Sequence, residues 1–296
     1  MIGLEVIWKD PRGKEWNLTT GEQGVVLDNG QGGLGWSEID HTFARGDIIH
    51  TSSRVKRGVH NLKVLVGWNR RGMEFYNLYN EWWTKANTPF DTGTLTVKRP
   101  DGQERSRELR LFESPDTTHA FDPGLGIDPQ PELWSLTGNY GWWYGPEQVV
   151  SVAYGDISSS GSGTPFYGPK GYGWPLYISS SYSARNLVMS NEGQGPMWVT
   201  WTIVGPMSKP RLGIDGAAEL TYRGDVLDGE IIQIRTDPTR RDAVQVYGNR
   251  SVYGAVSGEW APVPVGSRVN LSVTAESFDP GAAVYAAGRE AYAQAF

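Results

Sequence analysis

The chain has 296 residues, 39% of them hydrophobic and 20% charged, with 38 glycines, 18 prolines, 13 tryptophans and no cysteine. That length suits one large domain or two ordinary ones, and zero cysteines exclude a disulfide scaffold, a thiolate zinc site and a cysteine nucleophile. The net charge of −6 divides unevenly, with 16 Lys/Arg against 15 Asp/Glu in residues 1–115 and 11 against 18 in residues 116–296, a balance that argues against gripping a nucleic-acid backbone.

No apolar run approaches the ~18–20 residues of a membrane-spanning helix. The opening Met1-Ile2-Gly3-Leu4-Glu5 lacks the basic start of a secretory signal, so a soluble product that is not exported by itself is expected. In chain order, Leu4–Trp8 reads as a strand closed by the turn Asp10-Pro11-Arg12-Gly13. Ile48–His50 and Leu62–Val66 flank the cationic stretch Arg54-Val55-Lys56-Arg57-Gly58, and together they predict a long hairpin with a basic tip. From Met73 to Ala86 the apolar residues Phe75, Leu78, Tyr79, Trp82 and Trp83 recur at helical spacing, and Asn87-Thr88-Pro89 ends the run; this predicts the one substantial helix. Thr94–Lys98 and Glu108–Phe112 alternate at period two around Pro100-Asp101-Gly102, a second hairpin.

Prolines 115, 123, 129 and 131 mark residues 116–131 as a connector between a first domain, 1–115, and a second, 132–296. In the second, short strands are predicted at Val149–Tyr154, Leu176–Ser180, Trp198–Val204, Ala218–Tyr222, Glu230–Thr236, Ala243–Tyr247 and Val269–Thr274. Their glycine turns and spacing predict an antiparallel sandwich or jelly roll. Ser158–Gly163 reads as a flexible loop within it.

Candidate chemistry is sparse. Gly30-Gln31-Gly32-Gly33-Leu34-Gly35 lacks the following helix and the lysine of a phosphate loop and reads as a turn. His41, His50, His60 and His119 show no metal-ligand spacing. Asp116, Asp122 and Asp128 could be offered as glycosidase carboxylates, but proline-rich loops collect aspartate for turn chemistry. Arg45-Gly46-Asp47 and Arg223-Gly224-Asp225 read as turns. No catalytic, cofactor or metal residue is assigned. Two surfaces remain: the cations Arg54, Lys56 and Arg57 with Arg70 and Arg71, suited to pairing with carboxylates of a neighbour, and the aromatics Trp142, Trp143 and Tyr144 with Phe166, Tyr167, Tyr172, Trp174 and Tyr177. The aromatic group reads either as sandwich core or as a platform for sugar or protein.

As an ordered whole the chain resembles the distal tail proteins, also called minor tail proteins, of long flexible-tailed bacteriophages. The resemblance is carried by GLEVIWKDPRGKEWNLT, GQGGLGWSEIDHTFARGDII with HNLKVLVGW, LTVKRPDGQERSRELRLFESP, SNEGQGPMWVTWTIVGPMSKPRL, LDGEIIQIRTDPTRRDAVQVYG and WAPVPVGSRVNLSV. It implies a mainly β protein with an N-terminal split β-barrel, similar to tail-tube subunits and holding one helix, and a C-terminal galectin-like β-sandwich. It implies a non-enzymatic hexameric ring at the virion tail tip, without cofactor, joining the tail tube protein to the tail-tip hub, tail-associated and receptor-binding proteins and the tape measure protein, and letting DNA pass. Assembly in the host cytoplasm is implied too, with no sequence-specific nucleic-acid binding and no membrane. Arg54, Lys56, Arg57, Arg70 and Arg71 would face a neighbouring subunit or the tube; Trp142, Trp143 and Tyr144 would serve the second domain's core or outer face. The alternative is a carbohydrate-binding sandwich that engages the host envelope through those aromatics.

Overall fold

The computed structural model describes residues 3–28, 34, 38–45, 49–115, 122–126, 131–153, 158–160 and 181–296, with the backbone alone at 158–160 and 181–186. The protein is mainly β, 53% strand, with one α-helix among the described residues. Two compact units divide it: Met1–Pro146 with Ala291–Phe296, and Glu147–Glu290.

Unit 1 holds the strands β1 (Glu5–Lys9), β2 (Glu15–Asn17), β3 (Val25–Leu27), β4 (Ile39–Ala44), β5 (Ile49–Val55) and β6 (Val59–Val66). Helix α1 (Gly72–Glu81) follows, then β7 (Gly93–Lys98), β8 (Glu104–Glu113), β9 (Pro131–Thr137) and the start of β10 (Trp143–Ala153). One antiparallel sheet runs β2-β1-β7-β8 and a second runs β3-β6-β9. Strand β8 belongs to both: it pairs with β7 over Glu104–Leu109 and with β9 from Arg110 to Glu113, the way a partly closed barrel turns a corner. Alternation along each strand sends Val6, Trp8, Leu95, Val97, Leu62, Val64, Trp134 and Leu136 into one core, as period two requires.

The helix arises where the aromatic spacing places it. Phe75, Trp82 and Ala86 are buried, and Trp82 meets Trp16 and Trp134 edge-on at 5.2 and 5.7 Å, the geometry that ring quadrupoles favour. Its last residues, Trp82–Ala86, open into a π-helical turn, and extended Asn87 ends it. Close packing on the sheet needs Gly67: its φ is +84°, and a Cβ there would lie 2.2 Å from the Phe75 ring.

The expected second hairpin is present. β7 and β8 pair through Arg99–Gln103, with Gly102 in the left-handed region at φ +85°. The first is different: Ile49–Val55 pairs with Ile39–Ala44, not with the strand 59–66. The basic stretch 54–57 therefore lies at the base of a hairpin whose turn is near Arg45. Charge and Gly58 imitate a tip there, while the Ile39–Ala44 strand has no buried face to announce it.

The division into units also falls later than the expected 115/132 boundaries. β9 aligns with β6 over seven pairs, from Val59↔Thr137 to Leu65↔Pro131, and carries Trp134 and Leu136 into the first core. The proline-rich stretch thus joins two strands of one unit, and the chain returns at its end to place Ala295 in the same core.

Unit 2 is a sandwich. One sheet orders Ala283–Tyr292, Thr200–Val204, Ile231–Arg235, Asp242–Gln245 and Arg250–Ser251. The other orders Ser158–Ser160, Ser181–Asn191, Ser267–Ala275, Arg211–Ile214, Ala218–Tyr222 and Val256–Gly258. Trp201, Ile203, Ile232 and Val284 from the first meet Leu212, Leu220, Leu271 and Val273 from the second in one core. The strands expected at 198–204, 218–222, 230–236, 243–247 and 269–274 all lie here; Leu176–Ser180 lies outside the described residues. Of the loop expected at Ser158–Gly163, Ser158–Ser160 forms a strand.

Candidate functional site

β4 and β5 form a two-stranded sheet of their own. Every residue of both strands is exposed except half-buried Val55. Ile39 is 40% exposed, Phe43 45% and Ile49 44%, so this ribbon carries apolar groups with no core beneath them. A bulge between Thr42 and Phe43 shifts the register, pairing His41 with Ser53 and Phe43 with His50. The rings of His41, Phe43 and His50 then gather, with centroids 5.5–6.3 Å apart. Both imidazoles meet the Ser53 hydroxyl, His41 Nδ1 at 2.9 Å and His50 Nε2 at 2.7 Å. An isolated two-stranded hairpin is at best marginally stable in water, and this ribbon pairs with no further strand among the described residues.

Its base is held firmly. Lys56 N–H donates to the Glu38 carbonyl, and Lys56 Nζ lies 2.8 Å from Glu38 and 3.5 Å from Asp40, which raises the Lys56 pKa, chiefly through the Glu38 hydrogen bond. Arg107, buried, donates through Nη2 to the carbonyls of Arg57 and Tyr140. Burial pushes its pKa down to about 10. Gly141 fits against the strand end: a Cβ there would lie 2.6 Å from the carbonyl oxygens of Val55 and Lys56. Buried His60 stands edge-on to Trp143 at 5.6 Å. The segment 55–60 is thereby locked to 138–143.

Of the five cations singled out from sequence, Arg54, Lys56 and Arg57 cluster at this base. Lys56 is already engaged within the chain, whereas Arg54 and Arg57 are exposed with no ion-pair partner among the described residues. Arg70 reaches the Glu22 carbonyl at 3.5 Å, and the Arg71 stem packs over Gly126. Among the aromatics, Trp143 is fully buried in the core of unit 1, because β10 enters beside β8 with Tyr144 opposite Ser106. Its ring is closed to any ligand; Trp142 and Tyr144 are half-buried. Phe166, Tyr167, Tyr172, Trp174 and Tyr177 lie outside the described residues, as do His119, Asp116, Asp128 and all of the Gly30–Gly35 turn but Leu34. Asp122 accepts from the Tyr76 hydroxyl and from Gly124 N–H, which together hold its carboxyl below the usual range.

Sequence reasoning missed the ribbon face that gathers Ile39, His41, Phe43 and His50. It also missed an aromatic pair in unit 2, Tyr253 stacked on Trp260 at 5.7 Å, with the Arg241 guanidinium 4.9 Å from the Trp260 ring.

No protein-family model and no curated protein matches the chain. Among solved structures it is similar to the Dit protein of phage SPP1, described as a paradigm of the hub adsorption apparatus in phages infecting Gram-positive bacteria, at 10% identity and a TM-score of 0.58, over 97% of this chain and 98% of that one. A chain of the phage P2 baseplate in its activated conformation with Ca overlaps at 12% identity and a TM-score of 0.46, covering 94% and 100%. The same baseplate with Sr gives 11%, 0.44, 93% and 99%. The likeness to SPP1 Dit shows a shared fold, with 97% of this chain covered.

Proposed function

We propose that the chain is a structural, non-enzymatic protein of a phage tail tip, a distal tail protein whose copies close into a hexameric ring. The ring joins the tail tube protein to the tail-tip hub, tail-associated and receptor-binding parts, contacts the tape measure protein, and lets DNA pass. The protein is made in the host cytoplasm and works in the virion without a cofactor. The observation that carries this reading is the likeness to SPP1 Dit over 97% of the chain. The ribbon supports it, since an unpartnered pair of strands on a ring-forming unit gains its cover from the next copy. The near-neutral charge of residues 1–115 suits a passage that must not hold DNA. Light scattering across concentration with negative-stain imaging tests it: a particle of about six chains with a central hole is expected from the required closed symmetry. A mass of one chain at every concentration contradicts it. The sugar-binding alternative has lost Trp143 as a platform and has no observation of its own.

A further inference from the structure

Two imidazoles and a hydroxyl meet on the ribbon where simple alternation would keep them apart. His41 lies opposite Ser53 in the register of β4 and β5. His50 stands three residues before Ser53, an odd step that strict alternation sends to the other face of a strand. The bulge beside Thr42 and Phe43 takes up one residue and sets His50 opposite Phe43, on the same face as His41, the re-aiming of a side chain that bulges produce. The two rings then converge on one point: His41 Nδ1 and His50 Nε2 stand 2.9 and 2.7 Å from the same Ser53 Oγ. A hydroxyl has one hydrogen, so Ser53 donates to one ring and accepts N–H from the other. Phe43 backs both rings, edge-on to His50 at 5.5 Å and tilted to His41 at 6.3 Å.

Imidazole nitrogens aimed at a common point suit a divalent ion of the first transition row, whereas calcium and magnesium take oxygen ligands. An ion in the place of the Ser53 hydroxyl needs each nitrogen to close by under about 1 Å, to reach the ~2.0–2.1 Å of a zinc–imidazole bond. Ser53 is exposed, so its side chain can turn to another rotamer, and a neutral imidazole can carry its proton on the outer nitrogen instead. None of the strand residues on this face, Ile39, His41, Phe43, His50, Ser53 and Val55, is charged, and Lys56 is drawn to Glu38 and Asp40. No group of three His, Asp or Glu ligands stands together among the described residues, so water completes the coordination. We propose that His41 and His50 bind one divalent transition ion, zinc or a neighbour such as nickel or copper, as a clip between β4 and β5. The ion does no chemistry there. It is a structural cross-link that favours the paired ribbon, because a ligand that binds only the paired form stabilises it. The site lies within one chain and does not depend on ring closure.

The test uses the full chain, stripped of metal and free of any histidine tag, titrated by calorimetry with Zn2+, Ni2+ or Ca2+ at about pH 7.5, above the ordinary histidine pKa. Wild type is expected to take up one Zn2+ or Ni2+ per chain and no Ca2+. His41→Gln and His50→Gln, each shown to keep the wild-type melting temperature in chelator, should each lose at least about tenfold in affinity, since even partners outside the ligand set are worth about 10–100-fold. His119→Gln should bind as wild type does, and Ser53→Ala, which clears the hydroxyl, at least as well. Hydrogen exchange across β4 and β5 should slow on adding Zn2+ to wild type and stay unchanged in either His41→Gln or His50→Gln. Wild type that binds neither Zn2+ nor Ni2+ at millimolar concentration overturns the site, and so does a His41→Gln or His50→Gln variant with wild-type affinity. A large loss of affinity in Ser53→Ala overturns the placing of the ion at the hydroxyl's point.

Discussion

The ribbon of unit 1 and the sandwich of unit 2 are built from the same kind of strand, yet their apolar residues have opposite fates. In the sandwich, Trp201, Ile203, Ile232, Ile234 and Val284 are essentially inaccessible, each facing residues of the opposite sheet. In the ribbon, Ile39 and Phe43 share one face with His41, Ile49 lies on the other opposite Ala44, and all of them face water. Unit 2 exposes Leu227, Tyr247 and Val265 at turns, and Val149 and Tyr285 on strands whose other face is buried. Alternation therefore announces a buried face without saying which molecule buries it. The sandwich completes its burial within one chain; the ribbon leaves its apolar groups in water.

Substitutions should separate these two kinds of burial. Trp201→Ala in the sandwich removes an enclosed indole and is expected to destabilise unit 2 by about 3–5 kcal/mol, read as a large drop in the urea midpoint. A loss under about 1 kcal/mol would mean that the sandwich core tolerates a void and that the contrast is overdrawn. Arg107→Met should come next: it leaves the carbonyls of Arg57 and Tyr140 without their buried donor, at about 1–3 kcal/mol. Hydrogen exchange should show the loss at the ribbon base and at 138–143 together; protection unchanged at 55–60 would show that Arg107 does not hold the ribbon.

Glu132→Gln should act in the opposite direction. Burial raises the Glu132 pKa, against partial relief from hydrogen bonds including the one Trp134 Nε1 donates at 3.0 Å. A carboxyl raised in the folded state favours folding fully only below its unfolded value, near 4.3, and loses that contribution as pH rises through the raised value. The variant should therefore gain over wild type as pH climbs above about 4, read as a Tm difference that grows with pH. A gap independent of pH would show that Glu132 is not the group responsible. Smallest in stability is Phe43→Ser, within about 0.5 kcal/mol because the ring is exposed; its whole effect should appear in association.

Sequence made the architecture legible where a local signal had a local cause. Pro100-Asp101-Gly102 set the β7–β8 hairpin, and Phe75, Leu78, Tyr79 and Trp82 marked the helix by their spacing. The Ala218–Tyr222 strand was legible to the residue, because its burial alternates within one sandwich. Long-range partners were not. Arg45-Gly46-Asp47 was legible as a turn, but pairing Ile49–Val55 with Ile39–Ala44 depends on a ribbon with no core side. Trp143 stands among aromatics in sequence, yet β10 begins beside β8 and delivers the ring to unit 1. The proline-rich stretch changes composition where the chain turns between β8 and β9, and no unit boundary falls there. Of the candidate surface, Arg54 and Arg57 were legible as exposed cations; the exposure of Ile39, Phe43 and Ile49 became visible only once β4 and β5 had paired apart from the core.

The most direct test weighs the two regions against each other in the full chain. Solution mass is measured across concentration for wild type, for Phe43→Asp with Ile49→Asp on the ribbon, and for Leu227→Asp with Tyr247→Asp on unit 2. Wild type and the unit 2 variant should form the same assembly of about six chains, as closed ring symmetry requires, and the ribbon variant should remain a single chain with an unchanged melting temperature. A ribbon variant that assembles like wild type, or a unit 2 variant that fails to, would contradict the assignment of assembly to the ribbon.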